Sequence, residues 1–257
     1  MGELLWSSVP APVRTATQTR LGSAIVAVSD VAGGFSEGAA ARLSLADGRD
    51  VFVKATAHEA VRDFHRREGA IAAGLPSTVP SPPLLFSFEH DAWVVLAFAF
   101  VTARAARPAD LPRVLDAATK MALVLTPAPL RPPTRPRLAG SSPWPGDTLL
   151  HGDLYLFNAL IGPSQVYIVD WAHAWVGPIY GDVLMLMAGS PEAESLCAAN
   201  PLTRDLPPSV IDEFLAAHGG FLMNLAAAAS APGLAAMAES LGRASLGWLS
   251  RRPYSAT

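Results

Sequence analysis

The chain has 257 residues, 51% of them hydrophobic and 16% charged, and a formal net charge of −3. That length suits one large domain or two small packed ones and is ample for a buried core. The single cysteine, Cys197, therefore excludes an internal disulfide framework and a cysteine-based zinc cluster without leaving the fold short of support. No run of lysine or arginine marks a nucleic-acid surface, and the most apolar stretch, residues 92–101, is about half a bilayer span. The opening MGELLWSSVPAPVR lacks a basic segment followed by an apolar one, so no secretory leader is expected. These observations point to a soluble, cytoplasmic protein with no nucleic-acid or membrane partner. Of the 19 basic residues only Lys54 and Lys120 are lysines, so a lysine inside an apolar segment carries information here.

Residues 22–101 are expected to form short strands with turns: 22–29, 39–45, 51–54, 84–88 and 93–101. A glycine-bearing turn (Gly33-Gly34-Phe35-Ser36-Glu37-Gly38) follows the first of these, and Asp47-Gly48 marks a hairpin between the second and third. Residues 58–75 have helical character, ended by Gly74 and Pro76. This half is an antiparallel sheet carrying one helix. After about residue 102 the pattern changes. Asp110 is a candidate helix N-cap, and Leu111, Val114, Leu115, Ala118, Met121, Ala122 and Leu125 recur at helical spacing. Seven of the 21 residues from 127 to 147 are proline, which predicts an irregular connector. A strand–loop–strand unit is expected over 148–171, and helices over 181–188, 208–217 and 233–249. The predicted class is α+β in two lobes, residues 1–100 and 101–257, the second mainly helical.

The chemistry concentrates in His151-Gly152-Asp153-Leu154-Tyr155-Leu156-Phe157-Asn158, with Val169-Asp170-Trp171 beginning eleven residues after the asparagine. The Asp153 carboxylate can accept a proton from a substrate hydroxyl. The Asn158 carbonyl and the Asp170 carboxylate are hard oxygen ligands suited to Mg²⁺. A hairpin over 159–169 would bring Asp170 to face Asn158.

This H-G-D-x-x-x-x-N loop followed by V-D-W resembles the aminoglycoside phosphotransferase and choline kinase family, relatives of the protein kinases. The resemblance covers about residues 20–190 in the expected order. It implies a two-lobed protein-kinase-like fold with a nucleotide-binding N-terminal lobe and a catalytic, substrate-binding C-terminal lobe. ATP and Mg²⁺ are the implied cofactors. Asp153 becomes the catalytic residue, and Asn158 and Asp170 the metal ligands. Lys54, ending an apolar strand, matches the family's nucleotide-binding lysine, with Glu68 as its partner and Glu59 as the alternative. Gly33, Gly34 and Ser36 fall where the family covers the ATP phosphates, and Phe98 and Phe100 lie in the connector that cradles adenine. Gly181-Asp182 resembles a structural Asp that follows the metal-binding segment. The glycine loop lacks full G-x-G-x-x-G spacing. The connector has no acidic residue where relatives often carry one, which leaves ATP against GTP open.

The implied function is phosphoryl transfer to a hydroxyl of a small molecule. From residue 101 onward there are 12 acidic and 11 basic residues, little surplus negative charge for a polycation. The expected acceptor is therefore a neutral or weakly charged natural product, such as a nucleoside-type or glycosylated antibiotic that the enzyme inactivates. An aminoglycoside kinase, a primary-metabolite sugar or amino-alcohol kinase, and a pseudokinase binding module are the alternatives, with the chain a monomer or weak homodimer. His173, Trp175 and His218 match no motif and are expected to be packing or surface residues.

Overall fold

A computed structural model describes residues 4–31, 37–140 and 144–252. The chain divides into two compact units. The first comprises Met1–Ser77, Ser81–Ala103 and Asp170–Ala172; the second comprises Thr78–Pro80, Arg104–Val169 and His173–Thr257. Among the described residues no helix is long and apolar enough to cross a membrane.

The first unit is built on strands β1 (Ile25–Asp30), β2 (Ala39–Leu45), β3 (Asp50–Thr56), β4 (Leu84–His90) and β5 (Trp93–Ala99). They form one antiparallel sheet in the order β1-β2-β3-β5-β4. Period-two alternation sets its faces. Ala39, Ala41, Leu43 and Leu45 of β2 and Val51, Val53 and Ala55 of β3 are buried together with Trp6, Val9, Val13 and Leu21. The last two belong to a helix, α1 (Ala11–Leu21), outside the elements expected from the sequence. Its segment is polar and opens on Pro10 and Pro12, so only Val13, Thr17 and Leu21, spaced by four, are buried. Gly22, at φ +70°, closes it by donating to the carbonyls of Gln18 and Thr19. The Asp47-Gly48 hairpin forms where expected, with Gly48 at φ +86° and Asp47 Oδ1 accepting from the Arg49 amide.

Helix α2 (Glu59–Gly74) contacts β3, β4 and β5. Strand alternation points Lys54 away from the Val53 and Ala55 side. Lys54 pairs directly with Leu96 of β5, so the two share a face. A side chain at Gly69 of α2 would come within 2.9 Å of the Leu96 side chain. Lys54 therefore lies on the face that α2 covers.

The second unit holds helices α3 (Leu111–Val124), α4 (Gly181–Met187), α5 (Ala193–Ala199), α6 (Pro208–Ala228) and α7 (Pro232–Arg251). It also holds the short strands β6 (Arg104–Ala105), β7 (Thr148–Leu150), β8 (Ala159–Ile161), β9 (Val166–Ile168) and β10 (Trp175–Gly177). These pair antiparallel as β10-β7 and β6-β8-β9. Helix α3 buries Val114, Leu115, Ala118, Met121 and Ala122, the stripe read from its spacing. Asp110 does not cap it. Its carboxylate instead takes Arg104 at 2.6 and 2.8 Å and the Arg107 amide at 2.8 Å, closing the 3₁₀ turn Pro108–Asp110 that precedes the helix. The described parts of the proline-rich connector contain neither helix nor strand. Helix α6 runs eleven residues past its expected end at Ala217. The extension runs through Gly219-Gly220, where a side chain at Gly219 would come within 2.7 Å of Leu246 on α7. The glycine permits close helix packing, which offsets its low helical propensity.

Candidate active site

Each unit carries part of the polar set singled out in the sequence. In the first, Lys54 Nζ donates to Glu68 Oε1 at 2.8 Å and Oε2 at 2.9 Å, and to Asp170 Oδ1 at 3.1 Å. Glu68 is 3% exposed, so the pair is made largely out of water. Glu68, not Glu59, is the partner. Burial works against the Lys54 charge, but the Glu68 and Asp170 carboxylates outweigh it and hold the ammonium above its ordinary value. Burial pushes the Glu68 carboxyl up, with Lys54 pulling against it and Asp170 adding to the rise. One helical turn earlier, His65 is buried and pushed down to about 4, first by burial and then by Lys54. It is neutral at pH 7, so Lys54 is the cation that Glu68 and Asp170 share.

Asp170 stands at φ +72°, a left-handed conformation that a non-glycine residue adopts at a cost. Its side chain is half exposed, so the carboxylate is held by Lys54 at the surface of the unit.

Of the glycine turn, Gly33, Gly34 and Ser36 lie outside the described residues. Its end is tied to β3: Thr56 Oγ1 donates to the Glu37 carbonyl at 2.6 Å and accepts from the His58 amide at 3.1 Å. A side chain at Gly38 would meet the Ala55 carbonyl at 2.9 Å. Phe98 lies within β5 and is buried. Phe100, just beyond the strand, has the Arg42 guanidinium 4.5 Å from its ring centre.

In the second unit the loop after β7 is fixed from behind. Asp182, at the start of α4, accepts from the His151 amide at 2.7 Å and the Gly152 amide at 3.0 Å. Burial of Asp182 pushes its carboxyl up to about 6, against the pull of those two amides. The His151 ring bridges Val169 O at 2.9 Å and the Asp153 amide at 3.3 Å. Gly152 sits at φ +75°, and a side chain there would come within 2.4 Å of the His173 carbonyl and 2.8 Å of the Trp175 ring. Only glycine fits the turn. The Val169 amide donates to the Asn158 carbonyl at 3.0 Å, closing the β8–β9 hairpin onto the loop.

Asn158 Nδ2 donates to the Asp153 carbonyl at 2.8 Å and to Asp153 Oδ2 at 3.1 Å. With its nitrogen so engaged, the Asn158 amide oxygen is the atom left to act as a ligand. Asp153 Oδ1 accepts from Arg137 Nη1 at 2.5 Å. Nothing in the sequence singles Arg137 out from the other arginines of the connector, and pattern reading misses it.

His218, expected to be a packing residue, is one with defined work. It is 1% exposed, takes Tyr155 Oη at 2.8 Å through Nε2 and Ser245 Oγ at 2.9 Å through Nδ1, and so ties α6 and α7 to the loop. Burial first, and then Arg137, push it down to about 3. In the unfolded chain it titrates near 6.5, so between these values the unfolded state binds more protons and stability rises with pH. This contribution is complete above pH 6.5 and is lost as pH falls toward 3. Urea denaturation at pH 7, 5.5 and 4.5 should show stability falling in that order, with a shallower fall in His218→Gln. An equal slope in the two proteins would remove His218 as a source of acid sensitivity.

The fold is that of the protein-kinase-like small-molecule kinases, with a five-stranded antiparallel sheet in one unit and a mainly helical second unit. Three solved structures illustrate the likeness. A macrolide 2'-phosphotransferase from Brachybacterium faecium is 15% identical, with 89% of this chain and 97% of that one covered and a TM-score of 0.62. A candidate fructosamine-3-kinase from Thermobifida fusca is 19% identical, covering 91% and 98%, at 0.61. An amicoumacin kinase in complex with AMP-PNP, Ca²⁺ and Ami is 12% identical, covering 93% and 94%, at 0.58. No protein-family model and no curated protein sequence matches the chain.

Proposed function

We propose that the protein is an ATP-dependent phosphotransferase that moves the γ-phosphate to a hydroxyl of a small molecule. The observation that carries this reading is the buried Lys54–Glu68 pair with Asp170 on the same ammonium. A structural ion pair has no use for a second, half-exposed carboxylate in a left-handed conformation. A nucleotide site does, because phosphoryl transfer depends on positioning and charge neutralisation. With His65 neutral and Lys54 taken up by the buried Glu68, the half-exposed Asp170 carboxylate is the group that suits a divalent cation.

Asn158 and Asp170 offer an amide oxygen and a carboxylate, the hard donor set that Mg²⁺ takes. When bound, Mg²⁺ would neutralise charge on the phosphate oxygens. Lys54 holds the nucleotide phosphates, and Gly33, Gly34 and Ser36 belong to the same nucleotide-binding set. Phe98 and Phe100 form the adenine side. Asp153 orients the acceptor hydroxyl and takes its proton. On this reading residues 1–100 bind the nucleotide and 101–257 supply catalysis and acceptor binding. The nucleotide analogue and Ca²⁺ held by the amicoumacin kinase support ATP with a divalent metal.

The acceptor is a neutral or weakly charged natural product, such as a nucleoside-type or glycosylated antibiotic, inactivated in the cytoplasm by a monomer or weak homodimer. Phosphotransferases of macrolides and amicoumacin among the fold neighbours support an antibiotic acceptor.

The test is a mass-shift screen of Mg-ATP against antibiotics and sugars, in which one member should gain a single phosphate. Asp170→Asn keeps the shape and loses one ligand charge, so it should fold normally and give no product. Full transfer by folded Asp170→Asn would remove Asp170 from the metal site. No nucleotide binding by the wild type would remove the whole reading.

A further inference from the structure

Arg137 occupies a defined place beside the residue proposed to take the acceptor's proton. Its Nη1 lies 2.5 Å from Asp153 Oδ1, and each side chain is only 16% exposed. The other carboxylate oxygen, Oδ2, takes Asn158 Nδ2 at 3.1 Å. The guanidinium carbon lies 5.2 Å from the centre of the Phe221 ring on α6, so an aromatic face holds the cation. The carboxylate at the heart of the loop is thus matched, charge for charge, by a fixed arginine.

We infer that Arg137 sets the charge class of the acceptor. The site takes a hydroxylated compound that is neutral, or bears an oxyanion or carbonyl near the reacting hydroxyl, and turns away one that bears an ammonium there. The inference rests on the phosphotransferase reading. An ammonium approaching Asp153 meets a carboxylate already bonded to a cation, and it meets that cation at contact range. It could pair with Asp153 only by displacing a partly buried, charge-assisted hydrogen bond. An oxygen-bearing group finds the opposite. Guanidinium has five N–H donors in a rigid planar fork and spends one on Oδ1, so the same side chain can also hold a carboxylate, phosphate or carbonyl.

The neighbouring surface fits such a compound. Tyr155 and Phe157 stack with ring centres 5.1 Å apart, and Phe157 is 46% exposed, a flat apolar platform for a ring of the acceptor. The platform is anchored by the Tyr155–His218–Ser245 chain, so the loop is not free to swing Asp153 away from Arg137.

The experiment uses the full chain with Mg²⁺ and AMP-PNP, and kanamycin as a polycationic hydroxylated probe. Calorimetry compares the wild type, Arg137→Gln and Arg137→Lys. Arg137→Gln exposes the Asp153 charge and should bind kanamycin at least tenfold more tightly than the wild type. Arg137→Lys should stay within about threefold of it. Raising salt to about 0.3 M should shrink the gain, as expected of a charge effect. Equal affinities in all three proteins, including undetectable binding in all, would overturn the inference, as would Arg137→Lys behaving like the glutamine variant.

A second measurement needs no variant. By saturation-transfer NMR the wild type should bind glucuronate in preference to glucosamine, and the reverse order would overturn the inference. AMP-PNP binding, recorded in the same wild-type samples, reports separately on the phosphotransferase reading. Its absence sinks that reading, whereas charge selection is scored on the sugars and kanamycin alone.

Discussion

Asp153→Asn is expected to lower transfer by about 100-fold or more, the scale of general-base loss, while nucleotide affinity stays within a few-fold of the wild type. The isosteric amide fits the same space against Asn158 and Arg137. It cannot, however, accept from both of them with its single oxygen, because its nitrogen is a donor. The loop should survive this mismatch, since its backbone is held by Asp182, His151 and Val169. An alcohol is too weak an acid to be ionised at neutral pH. The carboxylate therefore orients the hydroxyl and takes its proton late, as the loose transition state forms the new bond. The paired measurement is calorimetry with Mg²⁺ and AMP-PNP, and turnover with the acceptor found by mass shift. Retained turnover would take Asp153 out of the mechanism. Lost nucleotide binding would move it into the metal site.

Much of this arrangement is legible in the sequence, for identifiable reasons. Strands β2 and β3 alternate cleanly because one face packs on Trp6, Val9, Val13 and Leu21 and the other is not equally buried. The same alternation puts Lys54 on the face that meets Glu68. The His151–Asn158 loop is legible because its chemistry needs particular residue types at fixed spacing, and Gly152 can be nothing else at φ +75° beside the His173 carbonyl.

What escaped lacks a local signal. Helix α1 is short and mostly polar, and its few buried positions gain their partners only from the sheet. The true reach of α6 depends on Leu246, 27 residues away from Gly219, which turns a helix-breaking glycine into a packing contact. Arg137 sits in a connector without periodicity. Its significance comes entirely from Asp153, 16 residues later, and from Phe221. Residue type announces a catalytic carboxylate, but nothing in a proline-rich stretch says which arginine will neutralise it. His218 shows the converse: lacking any motif, it still orders the loop through Tyr155.

The second large effect concerns Lys54. Lys54→Met removes the ammonium from a carboxylate that is 3% exposed, and leaves the Asp170 charge acting against it. Breaking a buried pair by deleting one partner typically costs about 3–5 kcal/mol, because the remaining charge is stranded. Urea denaturation at pH 8 should show a loss of about 3 kcal/mol on this scale. The sign of its pH dependence follows from Glu68. Its carboxyl is already pushed up by burial, and losing Lys54 removes the group that pulls it down. A carboxyl with a raised folded-state value favours the fold while protonated and loses that contribution as pH rises. The deficit should therefore shrink as pH is lowered from 8 toward the range where Glu68 protonates. In Lys54→Met/Glu68→Gln no charge is stranded, and most of the lost stability should return. Transfer should be lost in both variants, since neither can hold the nucleotide phosphates. Lys54→Arg should recover stability without activity: the charge is restored, but a planar fork cannot take the place of a compact ammonium held by Glu68 and Asp170 at once. If the single methionine variant is as stable as the wild type at pH 8, or the arginine variant is fully active, then Lys54 is an ordinary surface-edge charge and the nucleotide site is elsewhere.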